Sequence, residues 1–152
     1  ADKIRHILSK VMETPTQSSK RWVWELMQNA KDIPNRFGGV SIKIELKENS
    51  LKFLHNGNPF TLKNIMGLIQ QVSSKDSTNS NEEVTGKFGT GFISTHLLSR
   101  KISVKGFVFH NGNHRKFNII LDRSGDSSED LIPKIKTALE HISANLSQFR
   151  KN

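Results

Sequence analysis

The chain has 152 residues, 34% of them hydrophobic and 24% charged, and 23 Lys and Arg against 14 Asp and Glu leave it a formal charge of +9. That length suits one domain with a real core, and the balance is that of a globular protein rather than a disordered or fibrous one. With no cysteine, disulfides and thiolate metal sites are excluded, and the six histidines show no HExxH-type spacing, which argues against a transition-metal enzyme.

No apolar run approaches the roughly 20 residues needed to cross a membrane. Ala1 to Lys10 is charged and helical in pattern and lacks the apolar centre of a signal peptide, so the expected location is cytoplasmic. The positive excess favours a polyanion, with nucleotide phosphates, nucleic acid and an acidic protein all admissible. The basic residues are spread along the chain, without a long block and without the aromatic-basic interleaving of single-strand binders.

Ile4, Ile7, Leu8, Val11 and Met12 recur at helical spacing, predicting an amphipathic helix over residues 2–13. Thr14, Pro15 and Gln17 have the form of a second helix start, and that helix is expected to run to Ile33, where Pro34 disfavours its continuation. Gly38 and Gly39 lead into Val40, Ile42, Ile44 and Leu46, whose alternation marks a strand. Leu51 and Phe53 carry a second strand, which stops at the turn formers His55 to Pro59.

Residues 61–72 look helical, with Ile65, Leu68 and Ile69 on one side. The polar stretch Ser73 to Glu83 reads as a mobile loop. A glycine-rich turn, Gly86 to Gly91, then opens a short helix bearing Phe92, Ile93, Leu97 and Leu98. Strands are expected at residues 102–109 and 116–121, joined as a hairpin through Asn111, Gly112 and Asn113. A last amphipathic helix is expected over 130–149. The order predicts an α+β fold, with helices layered on one face of a mixed, mostly antiparallel sheet.

Three elements carry chemistry. Glu25, Asn29 and Asp32, at offsets of four and three, lie within one narrow arc of the second helix, while Val23, Leu26, Met27 and Ala30 form its apolar face. One helix can therefore pack on a core and present polar groups to a pocket, although such a stripe is also what an ordinary solvated face looks like. The turn His55-Asn56-Gly57-Asn58-Pro59-Phe60 ends a strand, and its glycine permits close approach to a flat ligand or simply makes a connecting turn. Gly86-Lys87-Phe88-Gly89-Thr90-Gly91 has the spacing GxxGxG before a helical segment, so its amides can converge on phosphate oxygens. It fits neither the Walker nor the Rossmann spacing.

Together, over roughly residues 17–110, these elements resemble the GHKL superfamily, whose nucleotide pocket uses an N-box helix, a G1 turn and a G2 glycine loop in this order. The N-box resemblance is Trp24 to Asp32. The G2 resemblance, Gly86 to Ser94 including Phe92, is similar to that of the ninety-kilodalton heat-shock chaperones, and the G1 form resembles bacterial ATP-binding proteins related to sacsin. The resemblance implies a Bergerat-type two-layer α/β sandwich spanning residues 1–152, with a lid over 73–85. It implies ATP and Mg2+ as cofactors, with Asn29 holding the phosphate-bridged magnesium, Glu25 as general base, and Asp32 near the nucleoside. His55, Asn56, Gly57 and Phe60 would bound the base, and Gly86, Lys87, Phe88, Gly89, Thr90 and Gly91 would hold the phosphates.

The implied activity is slow ATP hydrolysis driving a chaperone-like switch, with a homodimer formed through nucleotide-dependent contacts. The alternatives are a nucleotide-sensing module without turnover and a basic nucleic-acid-binding module. His55 replaces the family's adenine-reading aspartate, so a neutral ring nitrogen would have to accept the adenine amino hydrogen, and affinity is expected to fall between about pH 8 and pH 6 as the ring protonates. Pro59 stiffens the turn in place of a second glycine. Nothing after Asp122 resembles the family's later G3 strand, which suggests the N-terminal piece of a longer protein.

Overall fold

Apolar residues at helical spacing make Asp2–Glu13 the first helix, α1, which buries Ile4 and Leu8. The structure, a computed structural model, describes residues 1–13, 20–70 and 92–147. The expected helix start at Thr14, Pro15 and Gln17, the helical residues beyond Gln70, the loop and lid over 73–85, the glycine turn 86–91 and the last turn to Phe149 lie outside the described residues.

Helix α2 spans Arg21–Lys31, and Asp32 and Ile33 extend its hydrogen bonding through N–H donations to Gln28 O at 2.9 Å and Ala30 O at 3.3 Å. It stops where Pro34 requires it to stop. Strands β1 (Ile42–Lys47) and β2 (Ser50–His55) pair antiparallel, which sets Ile44 opposite Phe53 and Leu46 opposite Leu51 on one face. A two-residue strand, β3 (Phe60–Thr61), falls where the sequence showed only a turn. Helix α3 (Leu62–Gln70) begins on a reciprocal cap: Asn64 N–H donates to Thr61 Oγ1 at 3.2 Å, and Thr61 N–H donates to Asn64 Oδ1 at 3.0 Å.

The segment Phe92–Leu97 is a 3-10 helix. Strands β4 (Lys101–His110) and β5 (Asn113–Asp122) form the expected hairpin. Its turn uses Asn111 at φ 49° and Gly112 at φ 75°, the two positive angles a tight hairpin turn of the right twist demands. Helix α4 (Ser128–Ser147) starts two residues before the sequence suggested, because Ser127 and Asp130 cap one another: Asp130 N–H donates to Ser127 Oγ at 3.2 Å, and Ser127 N–H to Asp130 Oδ2 at 3.0 Å.

The expected single sheet is two sheets in the described residues, β1-β2 and β3-β4-β5, the latter mixed because β3 runs parallel to β4. The division has a local cause. After His55 the chain turns onto the end of α2 instead of continuing the first hairpin, and it re-enters a ladder only at Phe60. The inward face of the three-stranded sheet, Val108, Phe117, Ile119 and Leu121, packs on Ile65, Leu68 and Ile69 of α3 and on Ala138 and Ile142 of α4. A second cluster joins Ile4 and Leu8 of α1 to Ile93 and Leu131. The protein is thus α+β, with mixed sheets and several helices. Among the described residues no helix is long and apolar enough to cross a membrane.

Candidate functional site

The apolar arc of α2 was expected to face the core and its polar stripe to face away. Ala30, 1% exposed, does face inward, but the division is not clean: Met27 of the apolar arc is 42% exposed, whereas Asn29 of the polar stripe is only 5% exposed. Leu26 still packs against the main core. The helix lies against the 3-10 helix at Phe92–Leu97. The Asn29 Nδ2 amide is buried with no hydrogen-bond partner among the described residues. An amide so placed carries a desolvation cost of about 1–3 kcal/mol that only a partner can recover. Glu25, one turn earlier, is largely covered and accepts a 2.9 Å hydrogen bond from Arg21 Nε, while Asp32 is half-buried at the helix C-cap.

The turn after β2 docks on the end of this helix. Asn58 N–H donates to Ile33 O at 3.0 Å, and a Cβ at position 57 would collide with that same carbonyl oxygen, so glycine is a steric requirement there. Asn56 is occupied structurally: its Oδ1 accepts Ser41 N–H at 2.7 Å, and its own N–H donates to Ser41 O at 3.3 Å. His55 sits between the rings of Phe53 and Phe60, at centroid distances of 6.4 and 6.5 Å. Phe60 in turn stands edge-on to Phe117 at 5.5 Å, tying the turn to the core.

The His55 ring does not have the free acceptor expected of it. Its Nδ1 accepts Gly57 N–H at 3.2 Å, which places the proton of the neutral ring on Nε2 and makes that nitrogen a donor. Burial also lowers the His55 pKa, so protonation falls below the ordinary histidine range and the expected pH 8 to 6 window moves to more acid values.

Phe92, which the resemblance implies as a nucleotide-binding residue, is a core residue, 7% exposed and edge-on to His96 at 6.4 Å. The glycine turn itself, Gly86 to Gly91, lies outside the described residues. Two buried ionisable residues among those described, His96 and Arg123, were missed by the sequence reading. His96 is 2% exposed, and burial, with Arg123 adding to it, lowers its pKa to about 4. Arg123 is 1% exposed; it donates through Nη2 to Ile69 O at 2.6 Å and Leu68 O at 3.3 Å, satisfying carbonyls at the end of α3, while its Nε and Nη1 have no partner among the described residues. The stretch Asp122-Arg123-Ser124-Gly125 reads as a solvated turn, and no sequence signal marks its arginine as interior.

The structure thus brings α2 against the segment that follows the glycine turn, and it seats the His55–Asn58 turn on the end of α2. Two open grooves, of about 440 Å³ and 290 Å³, lie elsewhere: the first is on the β4–β5 hairpin, and the second takes in His55 and Asn56 but neither Glu25 nor Asn29. Among the described residues no three His, Asp or Glu side chains converge as a metal site, so a divalent cation there would depend on ligand oxygens. No protein-family model, curated protein or solved structure matches the chain.

Proposed function

We propose that the chain binds ATP with Mg2+ at the inner side of α2, in the manner of the GHKL superfamily, and hydrolyses it slowly to drive a conformational switch. The observation that carries this reading is Asn29: a buried amide without a partner among the described residues, on a helix packed against Phe92–Leu97, the segment that follows the glycine-rich sequence 86–91. The magnesium would supply charge neutralisation at the phosphates. Asn29 binds at that end of the ligand, Glu25 orients the attacking water, and Asp32 lies toward the nucleoside. The Gly86 to Gly91 amides hold the phosphates. His55 reads the base as a donor, through Nε2–H to a ring-nitrogen acceptor, instead of accepting from the amino group.

A second reading rests on the Arg21–Glu25 pair. Glu25 Oε1 already accepts from Arg21 Nε and is thereby occupied instead of orienting a water, which favours a module that senses nucleotide without turning it over. Calorimetric titration with ATP and magnesium, with GTP as comparison, tests the binding. Asn29→Ala should abolish binding while leaving the melting temperature equal or higher, since it removes an unsatisfied buried donor. Equal ATP binding by the wild type and the variant, or none by the wild type, defeats the proposal. Among binding-competent forms, loss of phosphate release in Glu25→Ala selects the hydrolase, and absence of release in the wild type selects the sensor.

A further inference from the structure

The outer face of the β4–β5 hairpin is unlike its inner face. Along each strand alternate residues point outward, and the antiparallel register sets Phe107 opposite Lys116, Phe109 opposite His114, Lys105 opposite Asn118 and Ser103 opposite Ile120. Phe107 is 50% exposed and Phe109 49%, with Ile120 at 52%. Lys116 Nζ stands 5.9 Å from the centre of the Phe107 ring, and the Phe109 and His114 rings are 5.0 Å apart. An open groove of about 440 Å³ reaches this face at the hairpin, where Lys105, Phe107, Lys116 and Asn118 line it together with the inward-facing Gly106 and Phe117 and with Asn145 of α4. The one outward carboxylate of the two strands, Asp122, is at the far end, near Lys101 at 3.6 Å and Lys134 at 3.8 Å.

From this arrangement we propose that the outer face of the hairpin binds single-stranded nucleic acid, with Phe107 and Phe109 stacking bases and Lys105 and Lys116 meeting phosphates. Two rings two residues apart on one strand stand roughly 6.7 Å apart, about twice the base-stacking rise, so an extended strand can lay a base on each. Ammonium groups beside the rings suit a ligand whose flat apolar surfaces and negative charges alternate at that scale. A second copy of this chain is a poorer occupant: a two-fold contact would press lysines of like charge together without a complementary acid. The chain's formal +9 agrees with a polyanionic ligand.

Fluorescence anisotropy of the whole chain with a labelled 12-nucleotide oligo-dT, its ribonucleotide equivalent and a duplex of the same length tests this directly. Tighter binding of single strands than of duplex is expected. Phe107→Ala and Phe109→Ala should each weaken it by roughly five- to 150-fold, and Phe107→Trp, which keeps a stacking surface, should restore it. Lys105→Ala with Lys116→Ala should reduce the salt slope by about 1.4, two phosphate contacts at ≈ 0.7 each. Both rings are exposed, so equal melting of the variants is expected and guards against misfolding. The proposal is overturned if duplex binds as well, if the Phe107→Ala and Phe109→Ala variants bind like wild type, or if those substitutions instead abolish self-association in sedimentation or binding to anionic vesicles while no oligonucleotide binds.

Discussion

The two hairpins of this protein share one sequence pattern and meet opposite fates. In β4–β5 the alternating apolar residues Ile119 and Leu121 are wholly buried under α3 and α4. In β1–β2 the equivalent alternation leaves Ile44 45% and Leu46 78% exposed, with Trp24, Met27 and Phe37 exposed on neighbouring segments. The difference teaches that alternation specifies a face, and only a covering element makes that face a core. The hydrophobic driving force is therefore concentrated in the β3–β5, α3 and α4 half. The half that carries the candidate site is anchored through α2, its contact with the 3-10 helix and the docking of the Gly57 turn.

The sharpest test of that contrast is a matched truncation. Leu121→Ala should cost about 2–5 kcal/mol, because it opens a cavity in packed surroundings, whereas Leu46→Ala should change stability by less than roughly 0.5 kcal/mol. Urea unfolding measures both, and equal losses would erase the distinction between the hairpins.

His96, on the edge of the well-packed half, gives a pH-dependent version. With a folded-state pKa near 4 against 6.5 when unfolded, it has no effect on stability above pH 6.5 and destabilises progressively as the unfolded chain takes up its proton. The loss between pH 6.5 and about pH 4 should reach about 3 kcal/mol. Chemical denaturation at several pH values would show a flatter profile in His96→Gln, and an unchanged slope in that variant would assign the acid sensitivity to other groups.

The smallest expected effect is in the site half. Gly57→Ala forces a methyl group against Ile33 O and should cost about 1–3 kcal/mol. It should also speed hydrogen exchange of the Asn58 amide, whose bond to Ile33 O holds the turn on α2. Retained protection at Asn58 would mean that the turn and the helix end are not coupled as described.

Much of the local structure was legible because it depends on near neighbours. The helical period of residues 2–13, the stop imposed by Pro34, the alternation of the four longer strands and the positive-φ turn at Asn111 and Gly112 are set by sterics and hydrogen bonding within a few residues. The candidate site was legible as residue types at a spacing, Glu25, Asn29 and Asp32 on one arc and a glycine at 57, but not as surroundings. Nothing along the chain indicates that Gly57 N–H would take the acceptor of His55, or that Arg21 would engage Glu25.

By itself the sequence determined the longer helices and strands of the described residues and the turn between β4 and β5. Tertiary structure alone decided that β1–β2 stands apart from β3–β5, that α2 buries Asn29 and exposes Met27, and that Arg123 closes the end of α3 from 55 and 54 positions away. It also set Lys116 and His114 of β5 opposite Phe107 and Phe109 of β4. The physical reason is that dihedral preference acts over a few residues, whereas burial, strand pairing and the partnering of polar groups depend on which distant surfaces meet.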